Sequence, residues 1–274
     1  MSTLTPSLAP SPATSLTHAA RDSATMLGRN LKHMLRYPSL TLMLIGQPVL
    51  FLLLFVYVFG GTMGAGLPGG HGRSDYLAYI APAIVIMTVA SVAMSTAIYI
   101  AKDATEGIID RFKTMPIARS SVLTGHVLAA LLQTALALAA VLGFAVLLGY
   151  RPSAGLGGWL GAVGLLLLLA VALTWFTLAL GLAAGSVETA SNTPMFLMIL
   201  PFISSGFVPT DSMPSGLAWI AEHQPFTPVI DTLRDCLSGT SPGNAAWWAI
   251  GWCVLTTVAS YAWARRLFAA VRAG

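Results

Sequence analysis

Long runs without a charged residue alternate with short polar segments along this 274-residue chain. Lipid offers no hydrogen-bond partners to a backbone, so an uninterrupted apolar run of about 20 residues is typical of a transmembrane helix. Such runs predict six spans, at about 39–60, 77–101, 119–148, 158–184, 189–208 and 244–267. Pro194 and Pro201 predict kinks in the fifth span, where backbone groups are released. The predicted fold class is an all-α integral membrane protein.

Composition supports this interpretation, since 56% of the residues are hydrophobic and only 9% are charged. A soluble domain carries roughly 25% charged residues. We therefore expect one transmembrane domain over 38–274. Residues 1–17 are rich in Ser, Thr, Pro and Ala and carry no charge, which predicts a disordered tail rather than a cleaved signal peptide.

The basic residues predict the orientation, because cytoplasmic loops carry an excess of Lys and Arg. With six spans, the N-terminal segment, the 102–119 loop and the C-terminus lie on one side and hold most of the 14 basic residues. The opposite side holds only Arg73, Arg151 and Arg234. The chain is thus predicted to be a multi-pass protein of the cell membrane with both termini in the cytoplasm.

Two amphipathic segments are predicted not to span. Residues 18–37 place basic side chains opposite an apolar face, which favours a helix lying in the cytoplasmic head-group layer. Residues 213–239 predict an outer re-entrant or interfacial hairpin, divided by Pro225 and Pro228. Its expected apolar face contains Trp219, Ile220, Val229, Ile230, Leu233 and Leu237.

The loop between spans two and three concentrates charge in a chain that has little. Asp103 and Glu106 resemble a helix-start capping arrangement, and Pro116 ends the helical pattern. This predicts a cytoplasmic helix at 103–115 with an apolar stripe that contains Ile108 and Phe112. Such a helix suits docking into a groove on another protein. The alternative is a solvated loop that only follows the positive-inside rule.

The sequence lacks the motifs of several function classes. There is no Gly-Lys pair for a phosphate-binding loop, no His-Glu-x-x-His and no Gly-x-Ser-x-Gly, so the chain is not predicted to be an enzyme or to hold a metal or cofactor. The core of each span lacks Asp, Glu, Lys and Arg, which argues against an ion-coupled transporter; His126 is the only titratable candidate. A channel or secondary transporter acting alone, or a membrane enzyme or structural partner, stays as an alternative. Basic residues beside spans do not indicate nucleic-acid binding.

The stretches "EGIIDRFKTMPIARSSVLTGHVLA" and "FISSGFVPTDSMPSGLAWIAEHQPFTPVIDTLRDCLSGTSP" resemble ABC-2-type permeases. The resemblance is to the membrane subunits of daunorubicin/doxorubicin-resistance exporters of actinobacteria and covers most of the chain after about residue 20. It implies a type V exporter made of two copies of this chain and two copies of a separate ATPase subunit, which binds ATP and Mg. The 103–115 segment would be the coupling helix, and the residues implied to contact the ATPase are Glu106, Gly107, Ile108, Asp110, Arg111 and Phe112.

The resemblance also implies a substrate path at the homodimer interface, lined by spans two and five. The residues that fit it are Ser91, Met94, Ser95, Tyr99, Asn192, Met195, Phe196, Met198, Phe202, Ser205 and Phe207. Met and aromatic side chains adapt to irregular apolar ligands, although packing between helices and against lipid explains the same residue types. No acidic residue is expected in this path, so the predicted substrate is a drug-like amphiphile recognised by apolar contact; export of a lipid or polysaccharide is the alternative.

Overall fold

The computed structural model describes residues 38–67, 72–107 and 119–270, with side chains described over 43–67, 72–107 and 123–268. The predicted tail at 1–17 and interfacial helix at 18–37 lie outside the described residues, as do residues 108–118. Within these ranges the structure is all-helical.

Among the described residues, five helical stretches are long and apolar enough to cross a membrane, which agrees with an integral membrane protein. The first contains α1 (Pro38–Leu54), a π-helical turn at Phe55–Phe59 and α2 (Gly60–Ala65). The other four are α3 (Arg73–Thr105), α4 (Arg119–Leu147), α5 (Leu156–Ala183) and α10 (Ala245–Ala270), with four shorter helices between α5 and α10.

Helix α3 is the centre of the bundle, and most of its residues are buried. It packs against α1, α4 and α5. The approach to α5 is close, because a Cβ added at Gly181 would lie 2.5 Å from the carbonyl oxygen of Ala97. The hydroxyl of Thr177 in α5 donates a 2.6 Å hydrogen bond to the carbonyl of Ala93. Small residues and hydroxyls at such contacts let membrane helices pack without lipid between them.

The segment predicted as the fifth span is a series of short helical pieces. These are α6 (Val187–Asn192), a 3₁₀ turn at Thr193–Met195, α7 (Phe196–Ile199) and a 3₁₀ turn at Leu200–Ile203. The interruptions predicted at Pro194 and Pro201 are confirmed, since each proline lies in a 3₁₀ turn. We call residues 187–203 the broken segment.

The predicted hairpin contains α8 (Ser215–His223) and α9 (Phe226–Ser238). The chain divides before Pro225, while Pro228 lies in the first turn of α9, so the prediction that both prolines divide the hairpin was wrong for Pro228. A proline is tolerated there because the first helical N–H groups have no partner within the helix.

Only part of the predicted apolar face of the hairpin is buried. Val229, Ile230, Leu233 and Leu237 in α9 pack into the core. Trp219 and Ile220 in α8 are 62% and 50% exposed, so this part of the predicted apolar face lies on the surface of the chain. Helix α9 packs between α5 and α10, whereas α8 contacts few elements, which explains the difference.

Candidate functional site

The first candidate region is the connection between α3 and α4. Helix α3 continues to Thr105, and Glu106 and Gly107 form the turn that ends it, with Gly107 at φ +68°. Asp103 therefore lies in the last turns of α3, and its predicted role as the start of a new helix is wrong. The i,i+4 hydrogen bonds of the long helix outcompete the local capping pattern. Of the predicted ATPase contacts only Glu106 and Gly107 are described, and Ile108, Asp110, Arg111 and Phe112 lie outside the described residues.

A histidine–carboxylate pair joins α3 to α4 at this connection. Nε2 of His126 lies 3.3 Å from Oδ2 of Asp103, and the two side chains are only 5% and 13% exposed. Lys102 and Glu106, by contrast, form a long 3.8 Å pair between exposed side chains. The pair holds together the two ends of the intervening loop. Sequence reasoning found His126 as a titratable group but did not find its partner, which lies 23 positions away.

The predicted path residues on α3 are described and lie along its second half. Ser91 is buried; its hydroxyl donates to the carbonyl of Met87 (2.9 Å) and lies 3.3 Å from the sulfur of Met198. The hydroxyl of Ser95 donates to its own helix, at the carbonyl of Val92. Met94, Ser95 and Tyr99 are half-buried. The Ser91–Met198 contact shows that α3 and the broken segment pack against each other.

On the broken segment, the predicted residues divide into exposed and buried groups. Asn192, Met195, Phe196 and Phe202 are exposed, while Met198 is half-buried. Met195, Phe202 and the neighbouring Ile199 recur at helical spacing and give an apolar stripe on the surface of this chain. Phe202 stacks on the buried Phe207, with ring centroids 4.8 Å apart, and both rings contact Phe55 of the π-helical turn.

The hairpin satisfies the backbone groups that the broken segment releases. Nε2 of the buried Gln224 donates to the carbonyls of Leu200 (3.0 Å) and Ile203 (2.8 Å). The N–H of Ser205 donates to the hydroxyl of Thr227 at 3.4 Å, and that hydroxyl donates to the carbonyl of Ala221. Buried backbone groups that leave a regular helix need such partners. Sequence reasoning missed Gln224 and Thr227. A glutamine between two helical pieces and beside a proline is a sequence signal that could have identified Gln224 as a partner for released backbone groups.

A polar cluster fixes the hairpin to α3 just beyond the broken segment; it contains Tyr79, Ser205, Asp231 and Arg234. Arg234 donates from Nη1 to Asp231 (2.8 Å) and from Nη2 to the carbonyl of Ser205 (2.8 Å). Its guanidinium lies 4.1 Å from the centre of the Tyr79 ring. The hydroxyl of Tyr79 donates to the carbonyl of Ser205 at 2.7 Å. The hydroxyl of Ser205 donates to the carboxylate of Asp231, also at 2.7 Å.

This cluster places an acidic side chain next to a predicted path residue, while the absence of acidic residues from the path itself stays a prediction. The carboxylate of Asp231 is hydrogen-bonded to Ser205, which is itself one of the predicted path residues. Asp231 was missed because the hairpin was treated as a cap separate from the path. Its charge is balanced by Arg234, so the pair adds a polar joint and no net charge.

An apolar cavity of about 180 Å³ lies on another side of the broken segment. Its walls come from α5, the broken segment, the start of α9 and α10, and include Phe176, Phe196, Phe226 and Trp252. Phe196 packs edge-to-face on Phe176, with ring centroids 6.1 Å apart. The broken segment therefore borders both α3 and an apolar cavity. No group of three or more metal-ligating side chains occurs in the described part of the chain.

Comparison with known proteins gives one family. The model of the ABC-2 type transporter family matches residues 22–237. Daunorubicin resistance ABC transporter permease protein DrrB1 of Streptomyces coeruleorubidus is 30% identical over 239 residues, covering 83% of this chain and 80% of that protein. Probable doxorubicin resistance ABC transporter permease protein DrrC of Mycobacterium tuberculosis is 26% identical over 248 residues, covering 89% and 82% of the two chains.

Proposed function

This chain belongs to the ABC-2 type transporter family, and we propose that it is the permease subunit of an exporter of amphiphilic, drug-like compounds. The observation that carries the proposal is its similarity to permeases named for daunorubicin and doxorubicin resistance, over more than four-fifths of its length. The membrane helices agree with it. Membership in an ABC system implies an ATPase partner, and the chain itself has no phosphate-binding loop in its sequence.

We propose the following arrangement within this function. The broken segment completes a six-span bundle, both termini are cytoplasmic, and the 103–115 region docks on the ATPase. Two copies of the chain and two ATPase subunits form the exporter, with the substrate path between α3 and the broken segment of each copy. The contact between Ser91 and Met198 and the exposed stripe that contains Met195 and Phe202 support this path.

The coupling role is tested by the double variant Phe112→Ala, Asp110→Arg. The protein is purified with its associated subunits, and a co-purifying protein with a phosphate-binding loop is identified by mass spectrometry. We expect the double variant to insert normally but to lose the ATPase and the efflux of amphiphilic dyes or drugs. Unchanged efflux would refute the docking role.

A matched control changes the same kinds of residue at the opposite end of the bundle. Trp219→Ala with Glu222→Arg also removes an aromatic ring and reverses an acid, and both side chains are exposed in α8. This variant should keep the ATPase. Drug export is distinguished from lipid export by comparing the efflux of a panel of amphiphiles with the transbilayer movement of a fluorescent phospholipid. Transport without any ATPase would refute the proposed function.

A further inference from the structure

A second cavity, of about 530 Å³, lies at the end of the bundle where α3 begins and α4 ends. Its lining is amphiphilic. The lining residues Arg151, Arg234 and Tyr150 carry polar groups, while Leu67 and Leu237 provide apolar walls. A water molecule takes about 30 Å³ of liquid, so the cavity exceeds the volume of ten waters. It shares Tyr79 and Arg234 with the polar cluster that contacts the predicted path residue Ser205, and none of its lining residues belongs to the region proposed to dock on the ATPase.

Arg151 is the better placed of the two arginines to hold an anion. Its Nη1 donates to the carbonyls of Val146 (3.1 Å) and Tyr150 (3.4 Å), which fixes the guanidinium at the end of α4. Nε and Nη2 make no hydrogen bond to the part of the chain that the structure describes. Arg234, by contrast, is already balanced by Asp231. A guanidinium with two parallel N–H groups matches the oxygens of a phosphate.

Tyr150 provides a neutral donor beside Arg151. The residue follows α4, and burial raises the pKa of its phenol, an effect that the charge of Arg234 partly opposes. The hydroxyl therefore keeps its proton at neutral pH. A protonated phenol and a guanidinium together favour an oxyanion over a cation.

We propose that this cavity binds the phosphate-bearing head group of a phospholipid from the adjacent leaflet, with Arg151 on the phosphate. The cavity lies at the ends of membrane helices, the level at which head groups lie. The apolar walls suit the start of the lipid chains, which inorganic phosphate does not have. Asp75 also lines the cavity, and its charge favours a singly charged phosphodiester over a doubly charged free phosphate.

The test uses the purified full-length chain in a non-ionic detergent and native mass spectrometry. Three probes are titrated: short-chain phosphatidylglycerol, diacylglycerol with the same chains, and inorganic phosphate. We expect one phosphatidylglycerol to bind about tenfold more tightly than either of the others, since a hydrogen bond to a charged group is worth about that factor or more. Arg151→Gln should remove about tenfold of this affinity, and Tyr150→Phe should remove a smaller part.

The matched control is Arg73→Gln. Arg73 begins α3 at the same end of the bundle and is exposed over the ring of Tyr57, but it does not line the cavity. Its loss removes the same charge from an equally exposed position and should leave the affinity within about twofold, because Arg73 does not line the cavity and its charge is screened over that distance.

Each of several outcomes would overturn the proposal. Equal losses in Arg73→Gln and Arg151→Gln would show a general charge effect with no site. Equal binding of diacylglycerol would show that only the chains bind, and equal binding of inorganic phosphate would show a free-anion site. If Arg151→Gln alters the melting temperature of the lipid-free protein, Arg151→Lys is measured in its place. Full phosphatidylglycerol affinity in both Arg151→Lys and Tyr150→Phe would exclude a bidentate contact between Arg151 and the phosphate. None of these outcomes depends on transport, so the proposed function is tested separately.

Discussion

Replacing Arg234 with methionine should detach the hairpin from α3 and from the loop after the broken segment. The guanidinium makes two 2.8 Å hydrogen bonds, to Asp231 and to the carbonyl of Ser205, and a cation–π contact at 4.1 Å with Tyr79. Methionine matches the unbranched stem of arginine, so it keeps the packing of the stem and removes the guanidinium with its donors. The side chain is 24% exposed in the wild type, so water replaces only part of what is lost.

The magnitude follows from these contacts. A hydrogen bond to a charged group contributes about 1.5–3 kcal/mol, and a partly buried cation–π contact about 1 kcal/mol. Asp231 is 36% exposed and regains solvent when Arg234 is absent, which offsets part of the loss. We therefore expect the free energy of unfolding to fall by about 2–4 kcal/mol.

The assay is thermal or denaturant unfolding of the purified chain in detergent, followed by tryptophan fluorescence. Arg265→Met is the matched control, since Arg265 also lies over a tyrosine ring, that of Tyr261 at 5.6 Å, but is exposed. That variant should lose less than about 1 kcal/mol. A double-mutant cycle with Asp231→Asn should give a coupling energy of about 1–3 kcal/mol. Equal effects of the two methionine variants, or strict additivity in the cycle, would refute the cluster as a joint.

Three further variants test the helix contacts. Gly181→Ala should lower the free energy of unfolding by about 1–3 kcal/mol, because the new Cβ meets the Ala97 carbonyl. Gly164→Ala is the control, since Gly164 lies on the same helix with open space around it, and it should have no such cost. Equal effects of the two variants would contradict the close contact. Thr177→Val should lose about 0.6–1 kcal/mol with its hydrogen bond to α3, again read by unfolding in detergent, and an unchanged midpoint would exclude that bond as a contributor. Gly107→Ala should lower the free energy of unfolding by about 1–2 kcal/mol, since the turn after α3 holds this residue at φ +68°. The melting temperature of the chain and ATPase-coupled efflux are both measured. Wild-type values in both would show that the turn accepts alanine without strain.

The long helices were predictable because a membrane allows few backbone solutions. A charge-free run of about 20 residues must form a helix in lipid, and the five long helices fall where such runs occur. Pro194 and Pro201 were equally informative, since proline lacks the N–H that a helix interior requires. These signals are local in the sequence, so no knowledge of the packing was needed.

The polar joints were not predictable because their partners are far apart in the chain. Arg234 contacts Tyr79 across 155 positions, and Gln224 reaches the broken segment across more than 20. The local pattern was even misleading at Asp103, where a capping motif gave way to the continuation of α3 and a contact with His126. Sequence periodicity reports which face of a helix is apolar, but the choice of partner for one polar side chain depends on the tertiary arrangement.

The two polar joints lie at opposite ends of the same helix. At one end Asp103 contacts His126 of α4; at the other, Tyr79 contacts Ser205 and Arg234. A helix of 33 residues is about 50 Å long at 1.5 Å per residue, and α3 is buried for most of that length. We expect a displacement at the Asp103 end to be carried along this helix toward the loop that follows the broken segment. Pro82 lies inside α3 one turn from Tyr79, so a bend there would act directly on the polar cluster and on the hairpin that it holds.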